Sequence, residues 1–211
     1  MPTTRPSPVP LSLVVNQDHR AASDADLARG LMAGDTRALA EAWRRYAPMV
    51  LLLAKRTLGS QSEAEDIAQE VFYRLYRKAK HIEDPHSLRS FVYAITVHAL
   101  KSELYRKKLR TWLLFEQPQT LSGLGWKTVD MESRDLVRRF HVLLERLPTR
   151  ERLVFILRRM ESMTVEETAA SMEISESTVK RSMIRASNRL SRWIEADPGL
   201  ASMFDAERWR R

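Results

Sequence analysis

Cysteine is absent from this chain, which excludes disulfide bonds and thiolate metal sites. No apolar run approaches the length that spans a bilayer, and the stretch 11–15 is too short for a secretory signal. Six glycines and nine prolines among 211 residues are too few for a fibrous or low-complexity protein. We therefore expect a cytoplasmic protein whose 44% apolar residues fill a core.

Signatures of catalysis are missing as well. The five histidines show no metal-ligand spacing, and the sequence contains neither a phosphate-binding loop nor a nucleophile motif. The acidic residues between positions 63 and 70 could imitate a carboxylate cluster, but helix capping or a docking surface explains most of them. We expect no enzyme, no catalytic residue, no metal ion and no cofactor.

Positive charge is in excess and is concentrated. The chain has 35 lysines and arginines against 27 acidic residues, a net charge of +8. Residues 97–110 and 176–192 each hold five basic residues and one acidic residue, so these two stretches account for the whole excess. Such concentration is typical of a protein that binds a polyanion. The alternative to polyanion binding is that each stretch is an ordinary solvated surface helix. This alternative explains a single basic stretch better than it explains two.

Helical periodicity begins near Asp24, and no stretch alternates convincingly as a strand does. The capping-box pattern at 62–65 predicts a helix that runs to about Lys80. Asp84-Pro85 predicts the start of another, which runs to about Arg110. Farther on, a second capping box at 164–167 opens a helix over 165–172, and Ser175 caps the helix after it.

These patterns predict an all-α chain with two small helical domains joined by a linker. The predicted parts are a disordered N-terminal extension (1–22), a first domain (23–110), a linker (111–132), a second domain with a helix-turn-helix (133–196) and a C-terminal tail (197–211). The linker is unusually apolar for a flexible tether, with Trp112 and Trp126 among its residues. Two interpretations stay open: it packs onto one domain, or it lies in a partner's groove.

The helix after Ser175 has two chemically different faces. One is an apolar stripe of Val179, Met183, Ala186, Leu190 and Ile194. Roughly opposite lie Thr178, Arg181, Ser182, Arg185, Asn188, Arg189 and Arg192. Arginines and small polar groups on a rigid helix suit the phosphates and base edges of a DNA major groove.

The helix over 64–77 carries an acidic face although the protein is basic. Its buried stripe is predicted to be Ala64, Ile67, Ala68, Val71 and Leu75. Asp66, Gln69 and Tyr73 point away from that stripe, with Glu70 beside them. This is either an ordinary solvated face with a Glu70–Arg74 pair, worth a few tenths of a kcal/mol, or a docking surface for a protein partner.

Three stretches together resemble the extracytoplasmic-function (ECF) class of bacterial sigma factors. They are Asp24–Tyr46, the run Ala64-Glu65-Asp66-Ile67-Ala68-Gln69-Glu70-Val71-Phe72, and Leu147-Pro148 through Phe155 followed by Thr178-Val179-Lys180. The resemblance covers about residues 24–195 and implies a first domain that binds core RNA polymerase and melts −10 promoter DNA. It implies a second domain that recognises −35 duplex DNA. An anti-sigma protein is a further candidate partner.

The resemblance implies three sets of binding residues. The polymerase-binding set is Asp66, Gln69, Glu70, Phe72 and Tyr73. The −10 DNA set is Arg89, Phe91, His98, Lys101, Arg106 and Lys107. The −35 DNA set is Thr178, Lys180, Arg181, Ile184, Arg185 and Arg189. Phe91, Tyr93 and Tyr105 could stack on bases of the melted strand.

The chain departs from the family pattern at several of these positions. His98 and Ser102 stand where the family usually has Asn and Asp, and Phe91-Val92 stands where it usually has Trp-Leu. Glu173 occupies a turn position where Gly is common. A helix-turn-helix regulator that is no polymerase subunit remains the alternative function. It would explain residues 162–194 but not the acidic face of the helix over 64–77.

Overall fold

The computed structural model describes residues 23–114 and 131–201, with side chains described for 23–110 and 135–201. The predicted extension 1–22, most of the predicted linker and the chain beyond 201 lie outside these residues. Within them the regular structure is helical and no strand is present, as predicted. In chain order the α-helices are α1 (Asp24–Met32), α2 (Thr36–Leu58), α3 (Gln61–Lys78), α4 (Leu88–Leu114), α5 (Met131–Arg146), α6 (Thr149–Phe155), α7 (Val165–Met172), α8 (Glu176–Glu195) and α9 (Pro198–Ala201).

Helices α1 to α4 form the first domain, in which α2, α3 and α4 pack on one another. Their core consists of fully buried aliphatic side chains, among them Val50, Leu53, Val71, Leu75, Val92 and Leu100. The stripe predicted for α3 is buried here, which confirms the helical period on which it was based. None of the helices in the described part of the chain is long and apolar enough to cross a membrane.

The boundary between α2 and α3 differs from the prediction. Gly59 adopts a left-handed conformation with φ of 75° and ends α2. The chain re-enters a helix at once, and the Ser60 hydroxyl accepts the Glu63 backbone N–H at 3.4 Å. The predicted start at Ser62 was therefore wrong by two residues, because Ser60 takes the capping position and Ser62 lies inside the first turn.

The entry to α4 combines a cap with a proline. The Asp84 carboxylate accepts the His86 backbone N–H at 2.9 Å, and Pro85 takes the first position of a short 3₁₀ turn, Pro85–Ser87. This turn leads directly into α4. The helix continues to Leu114, four residues beyond the predicted end at Arg110.

Helices α5 to α9 form the second domain. The predicted capping box is confirmed: Thr164 accepts the Glu167 backbone N–H at 3.1 Å, and Glu167 accepts that of Thr164 at 2.7 Å. Helix α6 continues through a π-helical turn, Ile156–Met160. Residues 198–201 were predicted as tail, but they form α9, because Leu200 is buried among the side chains of this domain.

The two domains contact each other. One buried apolar cluster includes core residues of α2 to α4 together with Leu157, Met163 and Met172 of the second domain. We call this boundary the interdomain seam. Helices α2 and α4 form one side of it, and α6, α7 and the segment between α6 and α7 form the other. Polar groups also cross the seam. Arg56 of α2 binds Glu161 there, at 2.5 Å.

Candidate nucleic-acid and protein interfaces

The helix α8 presents a basic face. Its predicted apolar stripe is confirmed, since Val179, Ala186, Leu190 and Ile194 are buried and Met183 packs against the core. Ser175 caps the helix, and its hydroxyl accepts the Thr178 backbone N–H at 3.3 Å. The predicted −35 residues Lys180, Arg181, Ile184, Arg185 and Arg189 are exposed, and Thr178 is half-buried. Ser182 was placed on this outer face, but it is completely buried.

Two arginines of this face share a buried carboxylate. Glu151 of α6 has 9% of its side chain exposed, and its oxygens lie 3.6 Å from Arg185 Nε and 3.2 Å from Arg189 Nε. Both arginines stay about half exposed, so their guanidinium groups are oriented and still accessible to a ligand. Glu151 was not predicted as a site residue, because the arginines that it contacts lie on another helix, more than thirty residues later in the sequence.

A cleft of about 330 Å³ lies along the later turns of α8. Arg185, Asn188, Arg189, Arg192 and Trp193 line it. The cleft combines positive charge with hydrogen-bond donors, which is the chemistry that phosphate oxygens require. Ile184, 61% exposed, lies on the same helix, and an exposed aliphatic group there can contact a thymine methyl.

The acidic face of α3 is exposed where the sequence predicted it. Asp66 and Gln69 are exposed, Tyr73 is 56% exposed, and Glu70 accepts a hydrogen bond from Arg74 Nε at 2.6 Å. The i,i+4 pair was thus predicted correctly. Since this pair is itself half exposed, a charged partner can compete for either member.

Phe72 differs from its predicted role. Only 4% of it is exposed, and its ring lies 4.6 Å from that of Trp43 on α2. A side chain in this position supports α3 from inside the domain and offers no surface to a partner. A helical wheel places Phe72 beside the apolar stripe of α3. It cannot show that Phe72 is covered, because the covering ring of Trp43 lies on α2.

A groove of about 380 Å³ separates α3 from α4. Asp66 and Glu70 lie on one side of it and Glu103 and Arg106 on the other. The structure therefore brings residues of the predicted polymerase-binding set next to residues of the predicted −10 DNA set. A protein partner on the α3 face would lie beside DNA on α4.

The predicted base-stacking residues of α4 differ in accessibility. Tyr105 is 52% exposed and Phe91 is half-buried, but Tyr93 is only 8% exposed and packs in the core. Tyr93 was wrongly grouped with the stacking residues. Its ring instead lies under the exposed Arg89 guanidinium, 5.9 Å from the carbon of that group.

The basic end of α4 is paired with acidic residues of its own domain. Arg106 lies 2.7 Å from Glu103, and Lys107 donates to Glu63 of α3 at 2.6 Å. Lys101, also in the predicted −10 set, is half-buried. Pairs between partly exposed groups are weak, so a phosphate can replace the carboxylate. The sequence showed the positive charges but could not show that Glu63 lies beside them.

His98, the remaining residue of the −10 set, contacts the second domain. Its Nε2 lies 3.1 Å from a carboxylate oxygen of Glu173. Glu173 itself has φ of 54°, in the left-handed region that ends α7. The sequence identified both residues as departures from the family pattern, but it did not predict that they meet.

Ionisable side chains are buried where α5 and α6 meet the first domain. Burial and the nearby Arg152 cation lower the pKa of His141 to about 4. Burial also raises the pKa of Glu145 and lowers that of Arg152 to about 10. Arg152 donates to the Thr57 carbonyl oxygen at the end of α2. The second domain is thus anchored to the first by a buried cation.

Both domains match known families. The Sigma-70 region 2 family matches residues 42–113, and the Sigma-70 region 4 family matches residues 138–190. The ECF RNA polymerase sigma factor SigD of Mycobacterium bovis is 30% identical over 167 residues, which cover 75% of this chain and 78% of SigD. SigM of Mycobacterium tuberculosis is 28% identical over 170 residues, which cover 81% of this chain and 84% of SigM.

Solved structures show the same fold. CnrH, in complex with the cytosolic domain of CnrY, aligns with a TM-score of 0.61 at 24% identity, covering 83% of this chain and 99% of CnrH. RpoE of Bartonella quintana, in complex with the anti-sigma factor NepR, aligns with a TM-score of 0.59 at 19% identity. It covers 74% of this chain and 96% of RpoE. With the sequence relatives above, these matches show that the chain belongs to the ECF RNA polymerase sigma factors.

Proposed function

We propose that this protein is an alternative sigma factor that binds core RNA polymerase and directs promoter-specific initiation of transcription. The observation that carries the proposal is the combination of two surfaces in one chain. One is the exposed acidic face of α3, and the other is the basic face of α8. A regulator that only binds DNA would explain the second surface alone. The match of residues 42–113 to Sigma-70 region 2 therefore disfavours that alternative.

In this proposal each binding set has a distinct task. Asp66, Gln69, Glu70 and Tyr73 contact the polymerase, and charge complementarity orients that contact. Helix α4 holds the melted −10 strand by stacking and charge. The outer face of α8 enters the −35 major groove, with Arg185 at a base edge and Arg192 at a phosphate.

The protein itself catalyses no covalent step; the polymerase does. Its place of action is the cytoplasm, where core polymerase and promoter DNA are found. An anti-sigma protein is a further proposed partner, since RpoE of Bartonella quintana is complexed with one.

Run-off transcription with core polymerase on genomic fragments tests the proposal and identifies the promoter. We expect discrete transcripts only when the protein is added. The double variant Asp66→Ala/Gln69→Ala serves as a folded control with weakened docking, and Arg185→Ala as one that docks but has a relaxed −35 preference. Absence of specific transcripts together with sequence-specific DNA binding would instead establish the regulator.

A further inference from the structure

Helix α8 begins with an acidic residue, although every other charged residue from Lys180 to Arg192 is basic. Glu176 occupies the first position of the helix, and 54% of its side chain is exposed. Its Oε2 lies 3.5 Å from Nζ of Lys180, one turn later, whose side chain is 62% exposed. A carboxylate in this place repels phosphates, so non-specific attraction to DNA does not explain it.

The position of this pair on the helix points to a role in recognition. In helix-turn-helix proteins the N-terminal residues of the second helix contact base edges in the major groove. Glu176 and Lys180 lie on the first two turns of α8, and the exposed Ile184 follows one turn later. Residues spaced by four positions lie on the same side of a helix. These three residues therefore form one edge of the surface that a −35 duplex meets.

The two charged groups match the major-groove edge of one base pair. Cytosine presents its N4 amino group there as a donor, and guanine presents O6 and N7 as acceptors. The amino group and O6 lie side by side, because they are hydrogen-bonded to each other within the pair. An ionised glutamate only accepts hydrogen bonds, and a lysine only donates them. Since the carboxylate and the ammonium group are 3.5 Å apart, each can bind one base of the same pair without separating from the other.

We propose that Glu176 and Lys180 together read a single C·G base pair of the −35 element, with Glu176 on the cytosine N4 amino group and Lys180 on guanine O6 and N7. The proposal rests on the proposed function and adds Glu176 to the −35 residues. It also ranks the base pairs at that position. An A·T pair keeps the order of donor and acceptor but offers Lys180 only the O4 atom of thymine, so it binds less well. G·C and T·A pairs place an acceptor opposite the carboxylate and are rejected.

Replacing Glu176 by glutamine separates base reading from a role in helix stability. The variant gains one net positive charge, so electrostatics alone would strengthen its binding to every sequence. The glutamine amide carries a donor as well as an acceptor, so it no longer distinguishes C·G from G·C. Glu166→Gln makes the same charge change at an exposed position, also in the first turn of its helix, and is the matched control.

The first measurement is selection from a promoter library with a randomised −35 region. Holoenzyme assembled from core polymerase and the full-length protein is bound to the library, and the retained sequences are determined. We expect the parent and Glu166→Gln to select C·G at one position, and Glu176→Gln to lose the preference there only. Lys180→Met should lose the preference at the same base pair, because both side chains contact it. Circular dichroism establishes that each variant is folded.

The second measurement is the affinity of holoenzyme for four promoter fragments that differ only in the base pair at that position. The parent should bind the C·G fragment roughly fivefold to 150-fold more tightly than the G·C fragment, the range of a two-point contact to a base pair. In Glu176→Gln this ratio should fall towards one, while binding to the G·C fragment becomes stronger. In Glu166→Gln the ratio should equal that of the parent.

Uniformly stronger binding of Glu176→Gln to all four fragments, with the parent's ratio retained, would overturn the proposal and leave Glu176 a helix-stabilising residue. Loss of preference at different base pairs in Glu176→Gln and Lys180→Met would overturn it as well. Selection by the parent without a C·G preference that depends on Glu176 refutes this contact only. A holoenzyme that selects no −35 sequence at all refutes the sigma-factor assignment.

Discussion

Replacing Glu151 by glutamine should reduce the −35 specificity of the protein without removing any residue that contacts DNA. In the folded protein this buried carboxylate lies within 3.2 Å and 3.6 Å of Arg189 and Arg185. Both guanidinium groups are therefore ordered before DNA arrives. Glutamine keeps the shape of the side chain but removes the charge that holds them.

The magnitude follows from the ordering of two side chains. Immobilising one long side chain at an interface costs about 0.5–1.5 kcal/mol. If Arg185 and Arg189 must both be ordered on binding, the specific affinity should fall by about 1–3 kcal/mol, or roughly fivefold to 150-fold. Non-specific binding should not weaken, because the variant gains one net positive charge and its salt slope steepens by about 0.9.

Holoenzyme binding to a panel of −35 variants over a range of salt concentrations measures both effects. Glu166→Gln makes the same charge change at an exposed site of α7 and should shift specific and non-specific binding together. If Glu151→Gln discriminates between −35 variants as well as the parent does, Glu151 does not order the two arginines for binding. The same conclusion holds if Glu166→Gln loses discrimination to the same extent as Glu151→Gln.

Three further results are expected. Asp66→Ala/Gln69→Ala should weaken core polymerase binding in a pull-down titration, while thermal unfolding changes by less than about 0.5 kcal/mol because both positions are exposed. Phe72→Ala should instead lower the free energy of unfolding by about 3–5 kcal/mol in urea titrations, since the Phe72 ring is buried. A variant that is as stable as the parent but binds polymerase weakly would support the predicted contact of Phe72 with polymerase. Burial lowers the pKa of His141 to about 4, so the unfolded chain takes up the proton first and stability should fall as the pH drops below about 6.5, by about 2 kcal/mol at pH 5. In urea unfolding at pH 7 and pH 5, the stability of His141→Gln should lose this pH dependence, and an unchanged pH dependence would contradict the prediction. Comparison with the parent also separates the effect of His141 from that of Glu145, because the raised pKa of Glu145 makes stability rise as the pH falls.

Local signals in the sequence predicted the elements well. The helix over 165–172 was predicted to the residue, because its capping box and its period are both encoded within a few positions. The start of α3 was misplaced, because two serines compete for the cap and a left-handed Gly59 favours the first. Elements specified by neighbouring residues were thus predictable, with errors at their ends, whereas α9, which was predicted as tail, was missed.

Tertiary contacts decided the rest. A helical wheel places Ser182 opposite the apolar stripe of α8, yet it is completely buried. Phe72 was assigned to a partner, yet Trp43 of α2 covers it. No role was predicted for Glu151, since the two arginines that it contacts lie on another helix. For Phe72 and Glu151 the deciding neighbour is distant in the sequence, so no periodicity could show it.

The two basic stretches therefore differ in a way that their equal net charge conceals. On α4 the cations of the basic end are largely paired with Glu63 and Glu103 of the same domain, so DNA must compete for them. On α8, Arg185 and Arg189 are paired with the buried Glu151, which orients both guanidinium groups and leaves about half of each side chain exposed. Long-range attraction to DNA should thus come mainly from α8. The contact of α4 with a strand depends instead on exchange of ion pairs and on stacking, which become available only near melted DNA.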